Sequence, residues 1–122
     1  MASFLVIDDS MVMRTILRYM LERCGATVLG ESTVGDDAVA MTHKLNPDAI
    51  SIGVSLRGES GIGVLKAIRQ SNWNGKVFFV ANDEQAQEEK SARETGVDSV
   101  LRKPFALDQV SSEINQIGRA HV

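Results

Sequence analysis

Apolar residues along the chain fall into two alternating kinds of pattern. Phe4 to Ile7 is a short continuous apolar run, and Thr27 to Gly30, Ala49 to Val54, Val77 to Ala81 and Val97 to Leu101 read as further strands. Such runs are what a strand covered on both faces requires. Between them the spacing becomes helical. Met13, Ile16, Leu17, Met20 and Leu21 share one face, with Ser10 placed as an N-cap and Gly25 as a stop. Ala38, Met41 and Leu45 mark a second helix that starts near Asp36 and is halted by Asn46-Pro47. Val64, Leu65 and Ile68 mark a third, entered through Ser60-Gly61, and Leu107, Val110, Ile114 and Ile117 form the last stripe. The segment from Asp83 to Thr95 contains no large apolar residue. Only Ala86 and Ala92 are available there to face a core, so a helix in this segment is expected to be the least stable.

Strands alternating with helices predict an α/β fold, a parallel sheet with helices on both faces. In such sheets the site lies at the carboxyl ends of the strands, beside the point where strand order reverses. The residues that matter most are therefore those just after each apolar run. They are Asp8 and Asp9, then Gly53 to Ser55, Ala81-Asn82, and Arg102, Lys103 and Pro104.

Composition narrows the setting. The 122 residues suit one domain, 1–122, long enough to bury a core, and 43% hydrophobic with 24% charged residues is ordinary for a soluble globular protein. A net charge of -3 argues against a nucleic-acid surface. The single cysteine, Cys24, cannot form an internal disulfide, and the opening apolar run is too short for a signal peptide or a membrane span. A cytoplasmic protein without membrane contact is expected.

Three motifs in order carry a more specific resemblance. The opening FLVIDDS followed by Met13-Arg14, the block NPDAISIGVSLRGESGIGVLKAIR from Asn46 to Arg69, and LRKPF from Leu101 to Phe105 are similar to the response-regulator receiver domain, nearest in shape to a stand-alone, chemotaxis-like receiver. The resemblance runs from Ser3 to about Gly118. It implies a doubly wound, flavodoxin-like (βα)5 fold with strand order 2-1-3-4-5, and a cis Lys103-Pro104 bond. It also implies a chemistry. An acceptor aspartate takes a phosphoryl group while acidic residues hold a magnesium ion and a lysine pairs with the phosphoryl oxygens. A hydroxyl then reports the phosphate and an aromatic side chain changes rotamer.

Carried over residue by residue, the resemblance keeps half of that site. Asp8 and Asp9 match the acidic pair and Lys103 the lysine. Gly53 stands at the acceptor position, Ala81 at the hydroxyl position and Val100 at the aromatic switch, while Arg57 replaces the proline that usually follows Leu56. The expectation is a vestigial active site of Asp8, Asp9, Gly53, Ala81 and Lys103, not an enzyme and without a cofactor. Asp8 and Asp9 would bind magnesium weakly or not at all, because two carboxylates against one lysine leave a formal -1 where three would leave -2. Plainer roles exist for the same residues. Asp8-Asp9 fits a turn-and-cap pair, Lys103 neutralises it, Asp36 and Asp37 complement a helix dipole, His43 is solvated, His121 lies at a frayed terminus and Trp73 is a lid on a surface cluster.

Three functions follow from this. The first is a phosphorylation-independent interaction module. The resemblance places its surface on the fourth helix, fifth strand and last helix, with Val100 and Arg102 in it, and this surface would hold a signalling partner or self-associate. The second is a receiver still switched through a substitute acceptor, Ser51, Ser55, Asp8 or Asp9; strand alternation places Ser51 and Ser55 on the side of Gly53. The third is a small-ligand sensor using the space vacated at Gly53.

Overall fold

The computed structural model describes residues 2–120, in which five strands and five helices alternate. They are β1 (Ser3–Ile7), α1 (Met11–Arg23), β2 (Thr27–Ser32), α2 (Gly35–Leu45), β3 (Ala49–Gly53), α3 (Gly61–Gln70), β4 (Lys76–Asn82), α4 (Ala86–Thr95), β5 (Ser99–Lys103) and α5 (Leu107–Ala120). A small antiparallel hairpin, Ser55–Leu56 against Glu59–Ser60, leads from β3 into α3. The main sheet is parallel throughout and ordered β2-β1-β3-β4-β5, the order and the α/β class expected. The side chain of Ile117 and His121 lie outside the described residues.

Burial explains the continuous apolar runs. Phe4, Val6, Phe78, Val80 and Leu101 face Leu17 and Leu21 of α1 and Val110 and Ile114 of α5. Leu5, Ile7, Ile50, Ile52, Val77 and Phe79 face the other way, against Ala38 of α2, Val64, Leu65 and Ile68 of α3 and Ala92 of α4. The central strands are thus dry on both sides. Phe4 and Phe78 meet edge to face with centroids 5.3 Å apart on the α1–α5 side. Ser10 caps α1 as expected, its hydroxyl accepting from the Met13 amide at 3.2 Å. Trp73 is buried, donating to the Pro47 carbonyl at 2.9 Å beneath the Arg69 guanidinium. His43 is exposed.

Element boundaries move where a neighbour, rather than periodicity, decides them. β2 continues two residues beyond its apolar run because Glu31 and Ser32 pair with Val6 and Ile7. β3 ends at Gly53, and Val54 already belongs to the turn into the hairpin. β5 begins at Ser99 rather than Val97. The chain leaves α4 through Gly96 in the left-handed region, and the Asp98 carboxylate accepts from the Val77 amide at 2.8 Å before the ladder starts. Lys103 is consequently the last residue of a strand. Ile16, counted with the core face of α1, is 37% exposed.

The segment from 83 to 95 contains a helix, but not with the expected buried face. Ala86 is exposed, and it is Glu89 that is buried beside Ala92. The Arg102 guanidinium of β5 makes the burial of Glu89 tolerable, donating to both carboxylate oxygens at 2.7 and 2.6 Å. That pairing holds the Glu89 carboxyl down at about 2. α4 is therefore fastened to the sheet by one alanine and one bidentate ion pair, whereas α1 buries two leucines. Hydrogen exchange is expected to show the amides of Ala86–Thr95 opening well before those of Met11–Arg23. Equal protection of the two helices would contradict this account.

Candidate functional site

The chain runs from β1 out to β2 on one side and returns to β3 on the other, so the β1–β3 pair is the reversal point of the sheet. At its carboxyl edge lies a cavity of about 90 Å³ lined by Asp8, Asp9, Ser10, Gly53, Val54, Ser55, Val80, Gln85 and Lys103. Four of the five residues expected in the vestigial site, Asp8, Asp9, Gly53 and Lys103, come together here. Ala81 does not line the cavity. It is fully buried in the layer that contains Phe79 and Ala92, because one step along a strand reverses the side-chain direction and turns Val80 toward the opening instead. Val100 is half-buried against that same layer and Arg102 is engaged with Glu89.

Asp8 is 4% exposed. Burial raises its carboxyl above the usual carboxylate range, opposed by the hydrogen bond from the Ser10 amide and by the charges of Lys103 and Arg14. One of its oxygens accepts from the Ser10 amide at 2.9 Å. The other points at Gly53: a Cβ on that glycine would stand 2.9 Å from it. The space that a side chain at position 53 would occupy is thus partly taken by the Asp8 carboxyl group. Arg14 closes the outer side, its guanidinium donating to the Asp8 carbonyl at 2.8 Å and to Glu31 at 3.2 Å.

Asp9 is exposed, and its carboxylate accepts from the Arg57 amide at 3.4 Å. This contact depends on a departure from the receiver pattern. Arg57 has φ 42° and Gly58 φ 84°, the pair of positive angles that a tight two-residue hairpin needs. Proline is locked near -65° and has no amide hydrogen. A proline at position 57 can neither build this hairpin nor donate to Asp9. The hairpin packs close: a Cβ on Gly61 would run into the Gly53 carbonyl oxygen, so only glycine allows α3 to start there. The Lys103-Pro104 bond is cis, as expected.

The two substitute serines separate. Ser55 is exposed and lines the cavity, whereas Ser51 is 1% exposed and its hydroxyl has no partner among the described residues. The chain leaves the strand after Gly53, so alternation no longer links the two, and burial withdraws Ser51 from any phosphodonor. Gln85 was not foreseen. It sits in the polar segment before α4 without any distinguishing pattern, and its side-chain oxygen accepts from the Asn82 amide at 2.9 Å while the residue borders the cavity.

Two carboxylates, each already accepting from a backbone amide, are what this pocket offers a cation. Magnesium requires near-octahedral oxygen coordination and gives up its water reluctantly. Among the described residues no cluster of three or more histidine, cysteine, aspartate or glutamate side chains is placed to hold a metal. Beside Asp8 and Asp9 the cavity is lined by the oxygen-bearing side chains of Ser10, Ser55 and Gln85. No described helix is long and apolar enough to cross a membrane.

Comparison with known proteins agrees with this fold. Residues 4–115 match the family model described as the response regulator receiver domain. The chain is 27% identical to the chemotaxis protein CheY of Thermotoga maritima over 94% of its own length and 96% of that protein's. It is 30% identical to the alkaline phosphatase synthesis transcriptional regulatory protein PhoP of Bacillus subtilis, covering 94% of this chain but 48% of PhoP. Among solved structures, the Francisella response regulator 1452 receiver domain superposes with a TM-score of 0.86 at 23% identity, covering all of both chains. The receiver domain of NtrX from Brucella abortus gives 0.86 at 21% identity over 93% of this chain and 96% of that one.

Two consequences can be measured. Arg57→Pro is expected to destabilise the chain by more than about 1 kcal/mol in urea titration, and Arg57→Gly to cost far less, because the native φ forbids proline and suits glycine. Asp8 supplies a pH test. An acid whose folded pKa is raised destabilises the fold when charged, and that penalty fades as pH falls through the folded pKa toward the unfolded value near 3.8. Asp8→Asn should raise the melting temperature at neutral pH, with the gain vanishing in acid. A gain that persists below the unfolded pKa would contradict burial as its cause.

Proposed function

The chain belongs to the response regulator receiver domain family, and we propose that within it this chain is a degenerate receiver, an interaction module of two-component signalling whose binding does not wait on phosphorylation. The observation that carries this reading is the end of β3. Gly53 offers no carboxylate, and the Asp8 carboxyl group leans into the space above it. Supporting it, Asp9 is held by an amide that the usual proline lacks. Val100 brings no aromatic ring to the switch position, and Ala81 brings no hydroxyl and lies outside the cavity.

The surface proposed for the signalling partner is formed by α4, β5 and α5. Arg102 is exposed there, Val100 is half-buried, and the Glu89–Arg102 pair holds α4 on the sheet in one position. With Glu89 ionised at any physiological pH, that position does not depend on a phosphate. No enzymatic activity, nucleic-acid contact or membrane contact is proposed, and the cytoplasm is the proposed location. Magnesium binds weakly, because a missing carboxylate forfeits a unit-charge attraction to a divalent ion that partial desolvation relief does not return.

Of the other readings, the substitute acceptor retains Ser55, Asp8 and Asp9. A serine hydroxyl without a base is a poor nucleophile, and both carboxylates are engaged by amides. The small-ligand reading needs more room, since ligand pockets run to about 300 Å³ and above, against about 90 Å³ here.

Incubation with a small-molecule phosphodonor and magnesium, followed by intact mass measurement, tests the proposal. No phosphorylated species is expected. Stoichiometric gain of one phosphate would overturn the reading, and peptide mapping would then name the acceptor. Calorimetry is expected to give magnesium a dissociation constant well above the micromolar range, tightened by Gly53→Asp.

A further inference from the structure

The loop that joins α3 to β4 contains the only Asn-Gly pair of the chain, Asn74-Gly75. Packing imposes its glycine. A Cβ at position 75 would run into the Trp73 ring and the Asp48 carbonyl oxygen. Trp73 cannot give way, because it is buried with its indole N–H on the Pro47 carbonyl at 2.9 Å. The asparagine is under no such control. Asn74 is exposed, on a hollow open to water that Asn46, Asp48 and Asn72 also line. The hydrogen bonds that fix the loop come from Trp73 and Arg69, and among the described residues none involves the Asn74 side chain or the Gly75 amide.

That combination has a chemical consequence. The side-chain amide of an asparagine can be attacked by the backbone nitrogen of the next residue, because a five-membered ring brings the two groups together within one chain. Glycine is the residue that leaves this approach unobstructed, having no Cβ. Attack requires the Gly75 amide to lose its proton, and Arg69 assists. Its guanidinium donates to the Trp73 carbonyl at 3.3 Å and to the Gly75 carbonyl at 2.8 Å, spanning Asn74. A cation so near favours the anionic nitrogen.

We propose that Asn74 is a site of spontaneous deamidation, with water as the co-reactant. The Gly75 nitrogen, its proton released to solvent, bonds to Asn74 Cγ. The Cγ–Nδ2 bond breaks, and the amide nitrogen takes up a proton and leaves as ammonia, so that a succinimide remains. Water then opens the ring at one of its two carbonyls. Cleavage of the new N–Cγ bond gives aspartate. Cleavage of the original peptide C–N bond gives isoaspartate, whose main chain runs through the side-chain carbons. Either product replaces a neutral amide by a carboxylate, and a formal charge of -3 with one further negative charge becomes -4. Isoaspartate also inserts a methylene between the two carbonyls that one Arg69 nitrogen holds. The Arg69 clamp and the seat of Trp73 beneath it are thereby loosened together. The loop precedes β4, so this change falls at the amino edge of the sheet, away from Asp8 and Lys103.

Ageing of the full chain in mildly alkaline buffer, followed by isoelectric focusing and peptide mapping, is the test. A species more acidic by one charge is expected to accumulate, with the change at Asn74 and part of it recognised by an isoaspartate methyltransferase. Asn74→Ser should abolish that species and leave the circular dichroism unchanged, since the Asn74 side chain is exposed. Trp73 is the single tryptophan, so its fluorescence reports the consequence. Emission of the isoaspartate fraction should shift to longer wavelength as the indole meets water. Asn74→Asp, which adds the charge without the methylene, should keep the native emission. A folded chain that stays unmodified while the same chain in guanidinium converts completely overturns the proposal, because the loop would then lock the pair apart. So does an acidic species that persists in Asn74→Ser, and so does an isoaspartate fraction with native Trp73 emission.

Discussion

A carboxyl group is buried at the carboxyl end of the central sheet, and the surrounding structure is arranged to accommodate it. Asp8 follows β1 directly, with β2 and β3 on either side, so it cannot turn to solvent without breaking the ladder. Its amide donates to the Ser32 carbonyl at 3.0 Å, and its carboxyl accepts from the Ser10 amide as α1 begins. Lys103, at the end of β5, supplies positive charge from the far side of the cavity. Arg14 links the Asp8 carbonyl to Glu31. Four elements thus converge on one acid whose charged form is costly at that depth. Gly53 completes the accommodation by leaving its place empty for the Asp8 oxygen. In a pocket with a third carboxylate at that point, the same acid would face repulsion that only a cation could relieve.

The departures from the receiver pattern are coupled through the backbone. Arg57 and Gly58 form a hairpin that proline would forbid, and the hairpin presents the Arg57 amide to Asp9. Gly61 then allows α3 to start against the Gly53 carbonyl. In this pocket each of the two carboxylates, Asp8 and Asp9, is held by a main-chain donor. On the opposite edge, α4 depends on Glu89 and Arg102 where a helix of ordinary composition would depend on leucines. That exchange makes the helix position electrostatic rather than hydrophobic, with its charge retained down to about pH 2.

Some of this was legible in the chain because it depends on local repeat alone. Continuous apolar runs mark strands that must be dry on both faces, and three- and four-residue spacings mark helices, so the class, the element order and the strand-end positions of Asp8, Asp9, Gly53 and Lys103 follow without coordinates. The tertiary structure decided whatever depends on a neighbour distant in sequence. Ser51 and Ser55 have the same spacing from Gly53, yet one is sealed behind the sheet and the other lines the cavity, because the chain bends between them. Glu89 reads as a solvated helix acid until Arg102, thirteen residues on, arrives across the strand edge. Ile16 reads as core by its spacing, yet it is 37% exposed while Leu17 beside it on α1 is 1% exposed. Gln85 has no pattern at all. Periodicity reports how a side chain points from its own element, and only packing determines what stands opposite it.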